Sequence, residues 1–133
     1  MLEHLLLELS KRYHFSLKEE SLPKKWFYLS IDATTSLKFN ELESGFTIES
    51  LICQTPKELK EDLLILLMKA NFLGQGTQGA MLALSETGSS LIFKKDIEQN
   101  LSYIEFKEKI EEFVNYLNYW KKRINEEIQK KRL

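Results

Sequence analysis

The chain has 133 residues, of which 43% are apolar and 11% aromatic, and its 19 Lys and Arg face 20 Asp and Glu. This length and apolar content predict one compact domain with a real core and exclude extensive disorder. The longest uncharged apolar run, Leu63 to Met68, is far below the ~18 residues of a membrane span. The N-terminus lacks the basic region of a signal peptide, and a single cysteine, Cys53, forms no internal disulfide. We therefore expect a cytoplasmic protein.

The N-terminal quarter begins with leucines at helical spacing. They predict an amphipathic helix over residues 2–15. Residues 16–25 are polar and contain Pro23, which is typical of a linker.

Three short strands are predicted next, joined as an antiparallel meander. Aromatic and β-branched residues indicate the first strand, alternation of apolar and polar residues indicates the second, and the turn at Ser44–Gly45 leads into the third. These strands cover Trp26 to Ile31, the region around Leu37 and Phe39, and Phe46 to Cys53.

A central helix is predicted to open at a capping box, with Thr55 as N-cap, Pro56 at the first helical position and Glu58 at the third. From Leu63 to Met68 this helix is apolar nearly all round, whereas a surface helix has a single apolar stripe. We therefore expect the helix to be buried from two sides. An interface with a second subunit would bury the side that faces away from the core.

The last third contains a glycine-rich loop, a second hairpin over residues 80–97 and a long amphipathic helix that starts near Tyr103. The predicted fold class is α+β, an antiparallel twisted sheet with the element order α-β-β-β-α-β-β-α. Residues 1–125 are predicted to form a single α+β domain, and residues 126–133 a basic, frayed tail.

The glycine loop, Gly74 to Gly79, matches the pattern G-x-G-x-x-G. A dinucleotide site needs this pattern after a strand and before a helix, and here the order is reversed. Gly74, Gly76 and Gly79 are therefore predicted to be structural turn residues that bind no nucleotide.

No pattern of catalytic or metal-binding residues is visible. His4 and His14 lie on different faces of the first helix, and neither has a cysteine or carboxylate at ligand spacing. Cys53 at the end of a strand is typical of a small buried hydrophobe. We expect no enzymatic activity, no cofactor and no metal.

Large apolar side chains on both faces of short strands are the remaining unexplained feature. If Phe27, Leu29 and Ile31 face the core, Trp26 and Tyr28 face away from it. Helices on both faces would explain this pattern, and so would a protein-binding surface. The residues assigned to that surface are Leu6, Leu9, Trp26, Tyr28, Leu51 and Ile92.

Three segments carry a family resemblance: Leu67 to Gly76 with its Ala70–Asn71 pair, Leu82 to Leu84 with Gly88 to Leu91, and Phe113 to Leu117 followed by Trp120. They resemble the class I type III secretion chaperones of the Tir-chaperone type. This resemblance implies a non-catalytic, cytoplasmic protein of a Gram-negative bacterium. Such a chaperone binds the N-terminal segment of a secreted effector, keeps it partly unfolded and helps deliver it to the export apparatus, a role in virulence.

The resemblance also implies a homodimer in which the central helix and the following strand meet across a two-fold axis. The interface residues are then expected to be Leu63, Leu66, Leu67, Ala70, Met81, Leu82 and Leu84.

Charge leaves an alternative open. Residues 121–133 carry a net charge of +4, and the other 120 residues carry −5. Since cation clusters drive phosphate binding, the alternative is an α+β adaptor or regulatory dimer that contacts nucleic acid through this tail. A solvated helix end explains the same residues, because the helix dipole favours cations there.

Overall fold

A computed structural model describes residues 2–21, 25–58, 61–72 and 76–130 of the chain. Within these ranges there are three α-helices and six β-strands. In chain order they are α1 (Leu2–Tyr13), β1 (Ser16–Glu20), β2 (Trp26–Ser30), β3 (Ser36–Glu41), β4 (Phe46–Gln54), α2 (Glu61–Asn71), β5 (Met81–Leu84), β6 (Ser90–Ile97) and α3 (Tyr103–Lys130).

The strands form one antiparallel sheet in the order β1-β2-β3-β4-β6-β5, which confirms the predicted α+β class. One strand was missed. The polar segment 16–25, predicted as a linker, contains β1, which pairs with β2 from Ser16↔Ser30 to Glu20↔Trp26. An edge strand needs only main-chain pairing, and four of its five side chains are exposed, so no apolar alternation marks it in the sequence.

The chain divides into two compact units. The first unit comprises residues 1–50 and 95–111, and the second comprises residues 51–94 and 112–133. The single α+β domain over residues 1–125 stays a prediction.

Aromatic rings fill the core of the first unit. Phe39, Phe46 and Phe106 pack in pairs, with ring centroids 5.3 to 6.2 Å apart. Leucines from α1 and the inner residues of β2 and β3 are buried in the same unit. They are Leu2, Leu5, Leu6, Leu9, Phe27, Leu29 and Leu37.

In the second unit, α3 supplies a stripe of buried residues at helical spacing. Phe113 packs against Phe93 of β6, with ring centroids 5.0 Å apart. Four residues of α3 form the stripe: Phe113, Leu117, Trp120 and Ile124. The helix continues to Lys130, so residues 126–130 are helical rather than the predicted frayed tail, and residues 131–133 lie outside the described ranges.

The capping box is located differently from the prediction. Thr55 does not cap α2, which begins at Glu61; its hydroxyl donates to the Gly88 carbonyl oxygen at 2.8 Å. A reciprocal box opens α3 instead, because the Ser102 N–H donates to Glu105 Oε1 and the Glu105 N–H donates to Ser102 Oγ. These bonds to Ser102 hold the pKa of Glu105 below its usual value. The S-x-x-E pattern marks this box in the sequence.

The end of α1 gives a first testable prediction. His14 follows the helix with a φ of 57°, and the Phe15 N–H donates to the Ser10 carbonyl oxygen at 3.0 Å. A side chain is strained in this left-handed conformation, whereas glycine is not. We expect His14→Gly to raise the free energy of unfolding in urea by about 1 kcal/mol.

His4 provides the matched control, because it is exposed within the same helix. His4→Gly should lower the free energy of unfolding by about 1 kcal/mol through the helix penalty of glycine. A loss of stability in both variants would contradict the assigned strain at His14.

Candidate protein-binding surfaces

One candidate surface lies on the first unit, on the sheet face opposite its aromatic core. Trp26 and Tyr28 are half-buried on this face, and they alternate along β2 with the fully buried Phe27 and Leu29. The register places Lys38 of β3 opposite Tyr28. The predicted orientation of the two aromatic residues is therefore the one in the structure.

Lys38 connects the two aromatic side chains. Its Nζ lies 4.1 Å from the centroid of the Trp26 ring and 5.9 Å from that of Tyr28. The same Nζ lies 3.5 Å from Glu49 Oε1. We call Trp26, Tyr28 and Lys38 the aromatic platform. The faces of the two rings attract the ammonium group of Lys38, and Glu49 neutralises its charge. The platform therefore has a largely apolar, polarisable surface.

Carboxylates surround the hydroxyl of Tyr28. Burial raises the pKa of Tyr28, and its hydrogen bond to Glu20 and the charges of Glu20 and Glu49 raise it further. The phenol therefore stays protonated well above neutral pH.

The other residues assigned to the binding surface have different positions. Leu51 is exposed between the buried Ser50 and Ile52, and Ile92 is half-buried between two buried residues of β6. Both belong to the second unit. Leu6 and Leu9 are only 0% and 3% exposed, so they are core residues of the first unit and cannot offer a surface. Their helical spacing marks an apolar face and does not distinguish a core face from a binding face.

A second apolar surface lies on α2, in the second unit. Leu64, Ile65 and Met68 are exposed, and they lie within about 100° of one another around the helix. We call these three residues the outward face of α2. Sequence reasoning did not single them out, although the all-round apolar pattern of the helix was the signal that contained them.

The predicted interface residues fall into three groups. Leu63, Ala70 and Leu82 are buried within the second unit, and Leu66 and Leu67 are half-buried. Met81 and Leu84, on β5, are exposed. The exposed and half-buried members are thus the ones available to a partner.

The glycine loop uses its main chain for internal contacts. The Gly76 N–H donates to the Ala70 carbonyl oxygen at 3.3 Å, and Trp120 Nε1 donates to the Gly76 carbonyl oxygen at 2.9 Å. Gly79 has a φ of 82°, which favours glycine in the turn. Gly74 lies outside the described residues. Beside this loop, a groove of about 510 Å³ is lined by Leu66, Lys69, Ala70, Gly76, Asn115, Tyr116, Tyr119 and Trp120.

The described residues contain no group of three or more His, Cys, Asp and Glu side chains arranged to hold a metal ion. Cys53 is half-buried, and burial raises the pKa of its thiol, which disfavours the reactive thiolate. Among the helices that the structure describes, none is long and apolar enough to cross a membrane.

The basic end of α3 is partly neutralised. Arg123 Nη1 lies 3.2 Å and Lys130 Nζ 3.8 Å from Glu127 Oε2. Glu127 is buried, so water screens its charge less than that of an exposed carboxylate. A phosphate group would have to compete with Glu127 for Arg123 and Lys130. This arrangement does not favour the nucleic-acid alternative.

A model of the Tir chaperone protein (CesT) family matches residues 27–121. The chain belongs to the Tir chaperone family. The matched segment runs from β2 into α3 and includes α2, β5 and most of the aromatic platform; α1 and β1 precede it.

Two solved structures have a similar fold over most of the chain. One is the heterodimeric complex ExoU–SpcU from the type III secretion system of Pseudomonas aeruginosa, with a TM-score of 0.66 and 15% identity over 93% of this chain and 94% of that one. Another is the HopA1–SchA chaperone–effector complex, with a TM-score of 0.65 and 17% identity over 91% of this chain and 93% of that one. No curated protein sequence matches the chain closely enough to count as a relative.

Proposed function

We propose that this Tir chaperone family member is a non-catalytic, homodimeric type III secretion chaperone of the cytoplasm. It binds the N-terminal segment of a secreted effector, keeps that segment partly unfolded and helps to deliver it to the export apparatus. The observation that carries this proposal is the aromatic platform, a half-buried pair of large rings on the sheet face opposite the core. The similar solved structures, one a chaperone–effector complex and the other a heterodimeric complex from a type III secretion system, support the same type of partner.

The platform has the properties of a surface for an extended apolar client. A chain that passes through a narrow export channel must stay unfolded, so its apolar side chains need a temporary partner. Trp26 and Tyr28 supply large contact areas with few rotatable bonds, and such aromatic residues dominate the energetics of protein interfaces. In the second unit, Leu51 and Ile92 also point away from the buried residues of their strands, and they are proposed as client contacts of that unit.

The homodimer is supported by α2. Its outward face leaves three large apolar side chains exposed, and β5 adds Met81 and Leu84. Contiguous apolar patches of this kind mark interaction sites in soluble proteins. A two-fold interface buries the same patch on both copies, so the outward face of α2 would pack against its own copy in the partner subunit.

The test begins with purification of the tagged chain from a bacterium whose type III secretion system is induced. We expect a secreted protein to co-purify, bound through its N-terminal segment. Calorimetric titration of that recovered segment should then show that Tyr28→Ala weakens binding about 30-fold, as expected for an aromatic hot spot of ~2 kcal/mol. Because Tyr28 is only half-buried, the melting temperature should fall by no more than a few degrees.

Tyr13→Ala is the matched control, since Tyr13 is an exposed tyrosine at the end of α1, in the same unit as Tyr28. It should bind the segment as the wild type does. An unfolded Tyr28→Ala would show that the residue belongs to the core, and unchanged binding would show that the client binds elsewhere. Capture of no secreted protein by the wild type would contradict the proposed function itself.

A further inference from the structure

Strand β5 is at one end of the sheet order, and β6 is its neighbour. The register places Leu82 opposite Phe93 and Ala83 opposite Ile92. In an antiparallel pair, the main-chain groups of successive residues point alternately toward the neighbouring strand and away from it. The groups that point away form an edge to which another extended chain can add.

The side chain of Asn71, the last residue of α2, occupies this edge at Leu82. Asn71 Nδ2 donates to the Leu82 carbonyl oxygen at 2.8 Å, and Asn71 Oδ1 accepts from the Leu82 N–H at 2.8 Å. A carboxamide offers the same donor and acceptor as a peptide group. The two bonds therefore reproduce those that an added strand would make with Leu82.

Thr77 closes the adjacent position on the same edge. The Ala80 N–H donates to the Thr77 carbonyl oxygen at 3.2 Å, and the buried Thr77 Oγ1 donates to the Ala80 carbonyl oxygen at 2.5 Å. Ala80 and Leu82 are two residues apart, so their main-chain groups point to the same side of the strand. The chain thus satisfies its own edge from Ala80 to Leu82.

We propose that Asn71 closes the β5 edge to strand addition at Leu82, in the middle of this short strand, so that a second copy of this chain contacts β5 through side chains and not through main-chain pairing. This inference rests on the homodimer of the proposed function. Met81 supplies a side chain for such a contact, because it is exposed on the face of β5 opposite the buried Leu82. Apolar side chains of the two copies then pack against each other, and the sheets of the two copies do not join into one continuous sheet.

Amide hydrogen exchange measures this closure directly. In the wild type we expect the Leu82 amide to be protected as strongly as that of Ala83, which faces β6. Asn71→Ala removes the acceptor, so exchange at Leu82 should rise about tenfold while exchange at Ala83 changes little. Asn71→Leu keeps the side-chain volume and serves the same purpose if the alanine variant does not fold.

Light scattering measures the consequence for association. With the edge open, either Asn71 variant should form particles that grow with concentration beyond the size of the wild type. Asn125→Ala is the matched control, because Asn125 is an exposed asparagine within α3. It should leave both the exchange and the particle size unchanged.

Three results would overturn the proposal. The first is a wild-type Leu82 amide that exchanges as fast as the amide of Thr87 in the β5–β6 turn. The second is unchanged Leu82 exchange in the folded Asn71 variants. The third is faster exchange without any growth in particle size. A monomeric wild type with a protected Leu82 amide would contradict the homodimer while supporting the closed edge.

Discussion

Gly45→Ala should lower the free energy of unfolding by about 4 kcal/mol, near the upper end for a single substitution. Gly45 has a φ of +88°, and a Cβ atom built on it would lie 1.7 Å from the Ile97 carbonyl oxygen. Both the turn and the end of β6 would have to move, since the obstructing atom belongs to the main chain. Urea denaturation monitored by tryptophan fluorescence measures the loss.

Gly88→Ala separates the steric effect from the conformational one. Gly88 has a φ of +75°, and a Cβ atom built on it would meet no other atom within 4 Å. The left-handed conformation alone should therefore cost about 1 kcal/mol. Equal losses in the two variants would show that the contact with Ile97 is relieved at little cost.

Met68→Glu should convert the proposed homodimer into monomers. Met68 is 72% exposed on the outward face of α2, so a charge there costs little in the monomer. A two-fold interface would bury this charge twice without an opposite charge. We expect the dimer dissociation constant to rise by about a thousandfold or more, measured by analytical ultracentrifugation.

Ile104→Glu is the matched control, because Ile104 is 68% exposed in the first turns of α3 and lies outside the outward face of α2. It should leave the dimer intact. A Met68→Glu dimer as tight as the wild type, or a monomeric wild type, would contradict the assigned interface. Met68 tests this interface more cleanly than Leu66, which is half-buried beside the groove near Trp120.

Much of the fold could be predicted because its periodic signals are strong. The alternation of Phe27 and Leu29 with Trp26 and Tyr28 identifies a strand with one buried face, and the structure has that orientation. The spacing of Phe106 to Ile124 identifies a long helix for the same reason. In both cases the burial pattern repeats over several residues, so errors at single positions do not change the assignment.

The features that were missed depend on contacts distant in sequence. Strand β1 exists because its main chain pairs with β2, which its polar side chains do not reveal. Thr55 fits a capping box by sequence, yet its hydroxyl bonds to Gly88, 33 residues away. The apolar face of α1 was predicted correctly from its periodicity. The assignment of Leu6 and Leu9 to a binding surface was wrong, because the sequence pattern does not show whether other parts of the chain cover an apolar helix face.

If the aromatic platform binds the client as proposed, the pairing of Lys38 with Glu49 has a consequence for the range of clients that it accepts. The ammonium group beside Trp26 already has a counterion at 3.5 Å. An incoming peptide therefore gains little from carrying a carboxylate to this point, and contact area and shape determine its affinity. Binding to such a surface should depend weakly on ionic strength and have a negative heat-capacity change. Peptides of different sequence and charge can then share one site, provided that each presents apolar side chains at matching intervals.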